Sequence, residues 1–398
     1  MRHTETQLIT PIRIVLTAVL LLLSSVELRA QHSSVTTIGG DNIVYSYHPA
    51  DSTPTSTIDD YLSADLNDRN VRFNVIGGPG YSANTGWRLS AIGNLYYRQR
   101  GTRNTTPGTL TLSAAASLTG YYSISLLGRN SFRDGKHRLE YGAELRSEPT
   151  YIWGLDYATS ARDLPGEYTA REYGAWIDYR YALTERLFLS LAADFLRVAT
   201  IDLDSRTQQI IDTKATTLST TGLGIGLGYD SRRAAAHSTR GIYARAEFIW
   251  RPRFAGSYDR DLYELNITFD YFQPLWRGGT LALDIYGEFH NAATPWLLRA
   301  ELGGDNHMRG YFPGRYNGDG LVAAQVELRQ HLWDGLGVVA WGGVGTTFSA
   351  TDRPSWDRLL PSYGIGLRWA LNALTSIRLD MAFGRNSRYL ILGLNEAF

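Results

Sequence analysis

The chain has 398 residues, with 39 Lys and Arg set against 39 Asp and Glu, and no cysteine. Zero net charge supplies no basic field for nucleic acid, and the missing cysteine excludes a disulfide framework, a thiolate metal site and a lipidated-cysteine anchor. Beyond the first thirty residues no apolar stretch approaches the ~18 residues of a membrane helix, although 25 Tyr, 10 Trp and 40 Gly are spread along the sequence.

At the N-terminus, Arg2, His3 and Arg13 precede an apolar run from Ile14 to Leu23 and a stretch ending at Ala30. Ten apolar residues are too few to span a bilayer, which takes ~20, so residues 1–30 are expected to be a secretory signal cut after Ala30. Residues 31–70 are rich in Ser, Thr and Asp, with Pro49 and Pro54. They read as a flexible extension or plug, too short for a self-sufficient core.

From there the chain alternates apolar and polar residues in short segments. Within 262–275, Tyr263, Leu265, Ile267, Phe269 and Tyr271 share one face, and Glu264, Asn266, Thr268 and Asp270 the other. Sixteen such segments are expected, near 72–81, 87–99, 109–118, 121–132, 138–147, 171–182, 186–198, 219–230, 241–252, 262–275, 280–290, 321–333, 336–348, 362–372, 375–384 and 387–398. A soluble sandwich alternates too, so the connections decide. Odd-numbered ones include the long stretches 148–170, 199–218 and 291–320, whereas even-numbered ones include tight turns near 184, 277, 334 and 373. Long external loops and short periplasmic turns mark a bacterial outer-membrane barrel, whose strand number is even; 230–241 is an even connection that is long. The expected fold is therefore all-β, a sixteen-stranded antiparallel transmembrane β-barrel over 71–398. Trp276, Trp333, Trp369 and Tyr271 fall near strand ends, where interfacial aromatic girdles lie.

The last residue, Phe398, would share a face with Leu390, Leu392 and Leu394. A final lipid-facing aromatic is the sorting signal read by the machinery that inserts bacterial barrels, and Gly393 stands where that signal has a glycine. Glu396 occupies a position that is usually hydrophobic.

The stretch 305–320, DNHMRGYFPGRYNGDG, is dense in polar and aromatic residues for a surface loop. With its MRGY element, the GRY and Asp319 that follow, and the Glu327-x-Arg329 pair on the next strand, it resembles the sixth external loop and twelfth strand of the BamA/TamA family, the bacterial surface antigen family. The turn YDSRRAAAHSTRG resembles the family's periplasmic turn after the eighth strand, through Asp230, Arg232 and Gly241. The resemblance implies that the sixth external loop folds inward and is held there through Arg309, Gly310, Tyr311, Gly314, Arg315, Tyr316 and Asp319. A sixteen-strand barrel is too wide for side chains to fill, so an inward loop would plug it. A guanidinium in a partly dry lumen needs a carboxylate. Glu327, beside Gln325 and Arg329, is the first expected partner, then Asp284 and Glu288 across the hairpin. The acid that many members carry on the thirteenth strand is missing from Trp341-Gly342-Gly343-Val344-Gly345.

Members that handle protein substrates usually carry periplasmic POTRA domains, for which 31–70 is too short; this chain is expected to be a barrel-only member. The family's seam between first and last strands would be weakened by Gly77, Gly78 and Pro79 and by Gly393. The implied function is assembly, insertion or translocation of outer-membrane components through that seam, with a passive channel or a surface adhesin as alternatives. Implied partners are phospholipid and lipopolysaccharide, unfolded outer-membrane proteins or a separate periplasmic protein, and the machinery that inserts the barrel, with the N-terminus periplasmic. The alternating Gly222, Gly224, Gly226 and Gly228 follow a strand period rather than a phosphate loop. The histidines lack metal-ligand spacing and no Ser-His-acid signature is present, so neither enzyme activity nor a cofactor is expected.

Overall fold

The computed structural model describes residues 71–82, 85–97, 108–132, 135–162, 164–232, 238–333, 335–349, 354–370, 376–394 and 396–398. The expected signal and the extension over 31–70 lie outside them. Every alternating segment of the sequence forms a strand. In chain order these are β1 (Val71–Ser82), β2 (Gly86–Tyr97), β3 (Gly108–Ser117), β4 (Tyr122–Phe132), β5 (His137–Ile152), β6 (Gly166–Ala182), β7 (Leu187–Ile201), β8 (Thr217–Asp230), β9 (Gly241–Arg251), β10 (Leu262–Trp276) and β11 (Gly279–His290). After two short strands inside the long loop, β12 (Ala300–Leu302) and β13 (Tyr316–Gly318), come β14 (Gly320–Trp333), β15 (Leu336–Phe348), β16 (Leu360–Ala370), β17 (Ser376–Gly384) and β18 (Ser387–Leu394). All but β12 and β13 close into one barrel of sixteen antiparallel strands, each beside its sequence neighbour, with β14 beside β11 and β18 beside β1.

The period of two sorts the side chains. On β10, Tyr263 and Ile267 are exposed outside, whereas Glu264 and Asp270 are buried within. Leu223, Ile225, Leu227, Val322, Val326, Ile365 and Leu367 continue the exposed apolar surface. The lumen holds the charges, and they pair: Arg180 with Glu140 at 3.0 Å and Asp178 at 3.1 Å, Arg245 with Glu247 at 2.7 Å. An apolar exterior around a charged, paired interior is the inverse of a soluble sandwich and belongs in lipid. The glycine face of β8 makes room for this interior. A Cβ on Gly228 would run into the Phe188 ring, and one on Gly222 into the Asp194 carboxylate.

Three boundaries differ from expectation. The β5–β6 hairpin runs on to Ile152 opposite Gly166, β7 pairs with β6 as far as Ile201, and β7–β8 runs on to Ala199 opposite Thr217, so the loops expected over 148–170 and 199–218 shrink to their tips. Backbone pairing continues past the apolar segment because nothing but water competes for those peptide groups. Each tip carries a short helix, α1 (Tyr157–Arg162) and α2 (Ser205–Ile211), the latter capped by the Asp204 carboxylate accepting from the Thr207 N–H. The last strand stops at Leu394, and with it stops the alternation that would carry Phe398 to the lipid face.

The expected periplasmic turn after β8 is tied by Asp230, which accepts from the Arg232 backbone N–H at 3.0 Å and from its guanidinium at 3.1 Å, while Arg232 lies 4.3 Å over the Tyr243 ring.

Candidate functional site

The chain between β11 and β14 turns into the barrel. β12 and β13 pair there as a small hairpin, Ala300 opposite Gly318 and Leu302 opposite Tyr316. Leu302, Met308, Tyr311 and Tyr316 form a buried cluster with Tyr286, Leu321 and Leu360 of the wall and Tyr157 of α1. Removing such side chains from water stabilises the seated loop by about 1.5–3 kcal/mol each. The tips of the β5–β6 and β7–β8 hairpins close over it: Asn317 donates to the Gly154 carbonyl at 2.8 Å and Trp296 to that of Ala215 at 2.8 Å.

At the tip of the inward chain sits Arg309, 0% exposed. Its Nη2 donates to Glu327 on β14 and its Nη1 to Asp380 on β17 at 2.8 Å. Its guanidinium lies 3.8 Å over the Trp341 ring on β15. A desolvated cation on indole gains about 2 kcal/mol. The thirteenth barrel strand thus contributes an aromatic face where an acid was missing, and the second acid comes from the fifteenth. Asp380 was within reach of the sequence, because it is the sole acid on β15, β16, β17 and β18. What hid it was distance: no spacing rule joins residues 71 apart.

Backbone contacts seat the neighbours. Ser362 Oγ donates to the Arg309 carbonyl at 2.5 Å and Ser387 Oγ to that of Gly310 at 2.5 Å. Tyr311 donates to the Pro361 carbonyl at 2.6 Å and accepts from the Arg385 N–H at 2.7 Å. These join the loop to the β17–β18 turn. Gly310 has φ +101, and a Cβ there would stand 2.6 Å from the Phe383 carbonyl carbon.

Of the expected partners, Glu327 holds Arg309, but Asp284 and Glu288 do not. Asp284 pairs with His307 at 2.8 Å and accepts from Gln325 at 2.9 Å, while His307 stacks 4.3 Å from Tyr286. Glu288 accepts from Tyr286 at 2.9 Å and pairs with His290 at 2.8 Å. Ala282 stands opposite Glu327, so Asp284, opposite Gln325, and Glu288, opposite Leu321, lie further along β11, where nearer donors claim them. Arg329 pairs with Glu327 at 2.8 Å. Arg315 stacks 5.7 Å over Trp153 and Tyr316, and Asp319 pairs with Arg299 at 3.5 Å, so these two brace the outer end of the loop. A Cβ on Gly314 would stand 3.0 Å from the Glu301 carboxylate.

The seam residues divide. β1 pairs with β2 from Val71 to Ser82, through Gly77, Gly78 and Pro79, and among the described residues meets β18 in register at Tyr81 and Leu392. Gly393 pairs with Arg378 of β17, whose guanidinium fills the space of a Cβ at 3.1 Å. Phe398 lies inside the barrel, 6.3 Å from the lumenal Phe272 ring and 4.9 Å from the Arg329 guanidinium, not on the lipid face with Leu390 and Leu392.

A cavity of about 120 Å³ remains beside the loop hairpin, with Tyr168, Glu172, Glu288, Arg299 and Glu301 among its walls. Glu301 is open to the cavity yet enclosed by the barrel. That burial, then the nearby charges of Glu172 and Glu288, pushes its carboxyl up to about 7. A released loop would ionise it in the ordinary carboxylate range. The seated loop therefore loses stability as pH rises from that range to about 7, and the loss is complete above it. Glu301→Gln should flatten this response, leaving the variant the more resistant to unfolding at pH 8. Unfolding midpoints at pH 5 and pH 8 check this, and an unchanged pH response in the variant would refute it.

A closed sixteen-strand barrel with an apolar exterior and a loop locked in its lumen defines the class, an outer-membrane β-barrel. The Omp85 superfamily domain matches residues 100–389, and the chain belongs to that superfamily. The barrel is similar to BamA from Haemophilus ducreyi lacking POTRA domains 1–3, with a TM-score of 0.56 and 14% identity over 82% of this chain and 70% of that one. It is similar to CdiB from Acinetobacter baumannii, with a TM-score of 0.56 and 12% identity over 82% and 60% of the two chains. CdiB from Escherichia coli gives a TM-score of 0.56 and 13% identity over 80% and 62%. This chain thus spans 60–70% of the length of these structures. Comparison with curated protein sequences returns no match.

Proposed function

We propose that this barrel assists the assembly, insertion or translocation of outer-membrane components through the seam between β1 and β18. The observation that carries this is the seam itself: among the described residues, β17 and β18 pair from Ile377 and Leu394 to Gly384 and Ser387, whereas β1 and β18 share one register position, Tyr81 with Leu392. Unpaired strand edges template an incoming strand, so a barrel with one weak seam presents a backbone receptor at the membrane. The locked loop keeps the remaining wall in shape while that seam parts. Phospholipid and lipopolysaccharide would border the seam, unfolded outer-membrane proteins would be the clients, and a separate periplasmic protein would deliver them. On this reading the N-terminus of β1 faces the periplasm and residues 1–30 are removed on export. A passive channel would need an open aqueous path, and loop and tail occupy the lumen, which favours the assembly reading.

Depletion of the protein, followed by a census of outer-membrane proteins and lipids, tests this. Loss of a defined set of them is the expected result; an unaltered outer membrane would contradict it.

A further inference from the structure

One sector of the lipid-facing wall carries charge where its neighbours are apolar. The outward side chains Tyr173 and Ile177 on β6, Phe195 on β7 and Leu223 on β8 are exposed. Towards the long-loop end this apolar surface stops on the two central strands at an arginine, Arg171 on β6 and Arg197 on β7, both exposed. Tyr173 stands opposite Arg197, and Arg171 opposite Ala199 two residues further on, so the two arginines are diagonal neighbours rooted roughly 7–8 Å apart. On β8, Ser219 and Thr217 stand opposite Arg197 and Ala199, and Arg197 donates to the Ser219 hydroxyl at 3.5 Å.

The protein supplies no counter-charge to this pair. Inward-facing arginines find acids, as Arg146 does in Glu172 and Arg251 in Asp194. Those two acids belong to β6 and β7, but the strand period points them into the lumen, away from Arg171 and Arg197. Glu167 is the one acid on the outward faces of β5 to β8, and it stands four residues from Arg171, about 13 Å along the strand. Among the described residues no carboxylate pairs with Arg171 or Arg197. Like charges held side by side repel, and a guanidinium at the edge of the hydrocarbon is stable with its head among polar groups. An anion bridging the two meets both demands.

The sheet fixes the pair and marks its depth. β8 pairs with β9 as far as Leu223 opposite Trp250. Beyond that point Ser257 takes over, its N–H donating to the Ser219 carbonyl at 2.8 Å and its hydroxyl accepting from the Ser219 N–H at 2.9 Å. Beside it Phe254, 80% exposed, stands edge-on to Trp250 at 6.1 Å. Exposed aromatic rings at a strand end mark the boundary of hydrocarbon and headgroups, so Arg171 and Arg197 lie at headgroup depth. An anion held there sits directly above the acyl chains that cover Tyr173, Phe195 and Leu223.

We propose that Arg171 and Arg197 form a binding site for the phosphate monoester headgroup of a membrane lipid, with the Ser219 and Thr217 hydroxyls as further donors. Two guanidinium groups match a phosphate monoester, whose charge is about −1.5 to −2, and each presents a fork of parallel N–H donors to its oxygens. A phosphodiester carries one charge and answers one arginine. The apolar surface below selects a lipid over free phosphate, because acyl chains bury there. On the orientation proposed above the leaflet is the outer one, where lipid A of lipopolysaccharide has this chemistry. Lipid retention in micelles does not depend on that orientation, so the two fail separately.

Native mass spectrometry of the full chain, released from micelles with added lipid, reads this site. One phosphatidic acid or lipid A should remain bound at concentrations where phosphatidylglycerol and phosphatidylcholine are lost. Arg171→Gln/Arg197→Gln should weaken that retention roughly tenfold or more, the effect of removing charge-assisted hydrogen bonds. Arg186→Gln/Arg277→Gln, exposed positions in turns at the opposite end of the barrel, should retain lipid as the wild type does. Circular dichroism confirms the sheet in each variant, and excess inorganic phosphate should leave the lipid bound. Equal retention of phosphatidylglycerol and phosphatidic acid would reduce the pair to general headgroup attraction. Displacement by inorganic phosphate would make it a free-ion site, and unchanged retention in Arg171→Gln/Arg197→Gln would put the lipid elsewhere; each of the three overturns the proposal.

Discussion

Arg309→Ala is expected to produce the largest loss of stability of any single substitution in the barrel. It leaves Glu327 and Asp380, both 0% exposed, facing one another's charge without the cation between them. Breaking a buried pair from one side costs about 3–5 kcal/mol, because the remaining charge stays desolvated. Here two acids each lose a partner, Glu327 keeping Arg329 and Asp380 keeping Arg368, and the Trp341 face loses its cation as well. The seated loop should become the weakest part of the molecule. Unfolding midpoints in urea should fall, and conductance across a planar bilayer should rise as the loop vacates the lumen. Arg309→Lys should lie between, since an ammonium cannot reach both carboxylates in the geometry of a planar fork while lying flat on indole. Unaltered stability and conductance in Arg309→Ala would show that the loop is held by its apolar cluster alone.

Gly310→Ala should unseat the same loop with every charge intact. The positive φ costs a residue bearing a Cβ roughly 1–2 kcal/mol, and the added carbon would press on the Phe383 backbone, which is fixed by pairing with β16. Relief requires moving the β17–β18 turn, and with it the bonds from Ser387 and Arg385. Gly314→Ala is the control. It too has positive φ, but its added carbon would meet the mobile end of the Glu301 side chain, so its effect should be smaller. Protease sensitivity of the folded barrel ranks them: wild type, Gly314→Ala, then Gly310→Ala as the most readily cut. A Gly310→Ala barrel as resistant as the wild type would mean that the loop tolerates a shifted path past β17.

The residues explain why some features were legible in sequence and others not. Strands were legible because lipid outside and charge inside enforce a period of two, so Tyr263, Glu264 and their neighbours declare the sheet unaided. Hairpin tips were not, because beyond the membrane the outer face need no longer be apolar and the pattern fades before the pairing does. The helices α1 and α2 have 6 and 7 residues, too few to display a helical period. Arg309 and Glu327 were legible through one motif and one adjacent strand. Asp380 lay behind three strands of closure, where only the completed barrel brings it to Arg309. The tail departs from the alternation past Leu394, where the strand ends. The contrary signal was Glu396, a charge where the outer face wants an apolar residue.

The seam between β1 and β18 is where function can be stopped most directly. A Y81C/L392C pair would fasten β1 to β18 where the two are in register, with backbone partners close enough for a disulfide and no native cysteine to compete. In cells that depend on this protein, oxidising the pair should arrest delivery of the components lost on depletion, and reduction should restore it, with the barrel folded throughout. Delivery that continues unchanged across a fully oxidised seam would contradict the account.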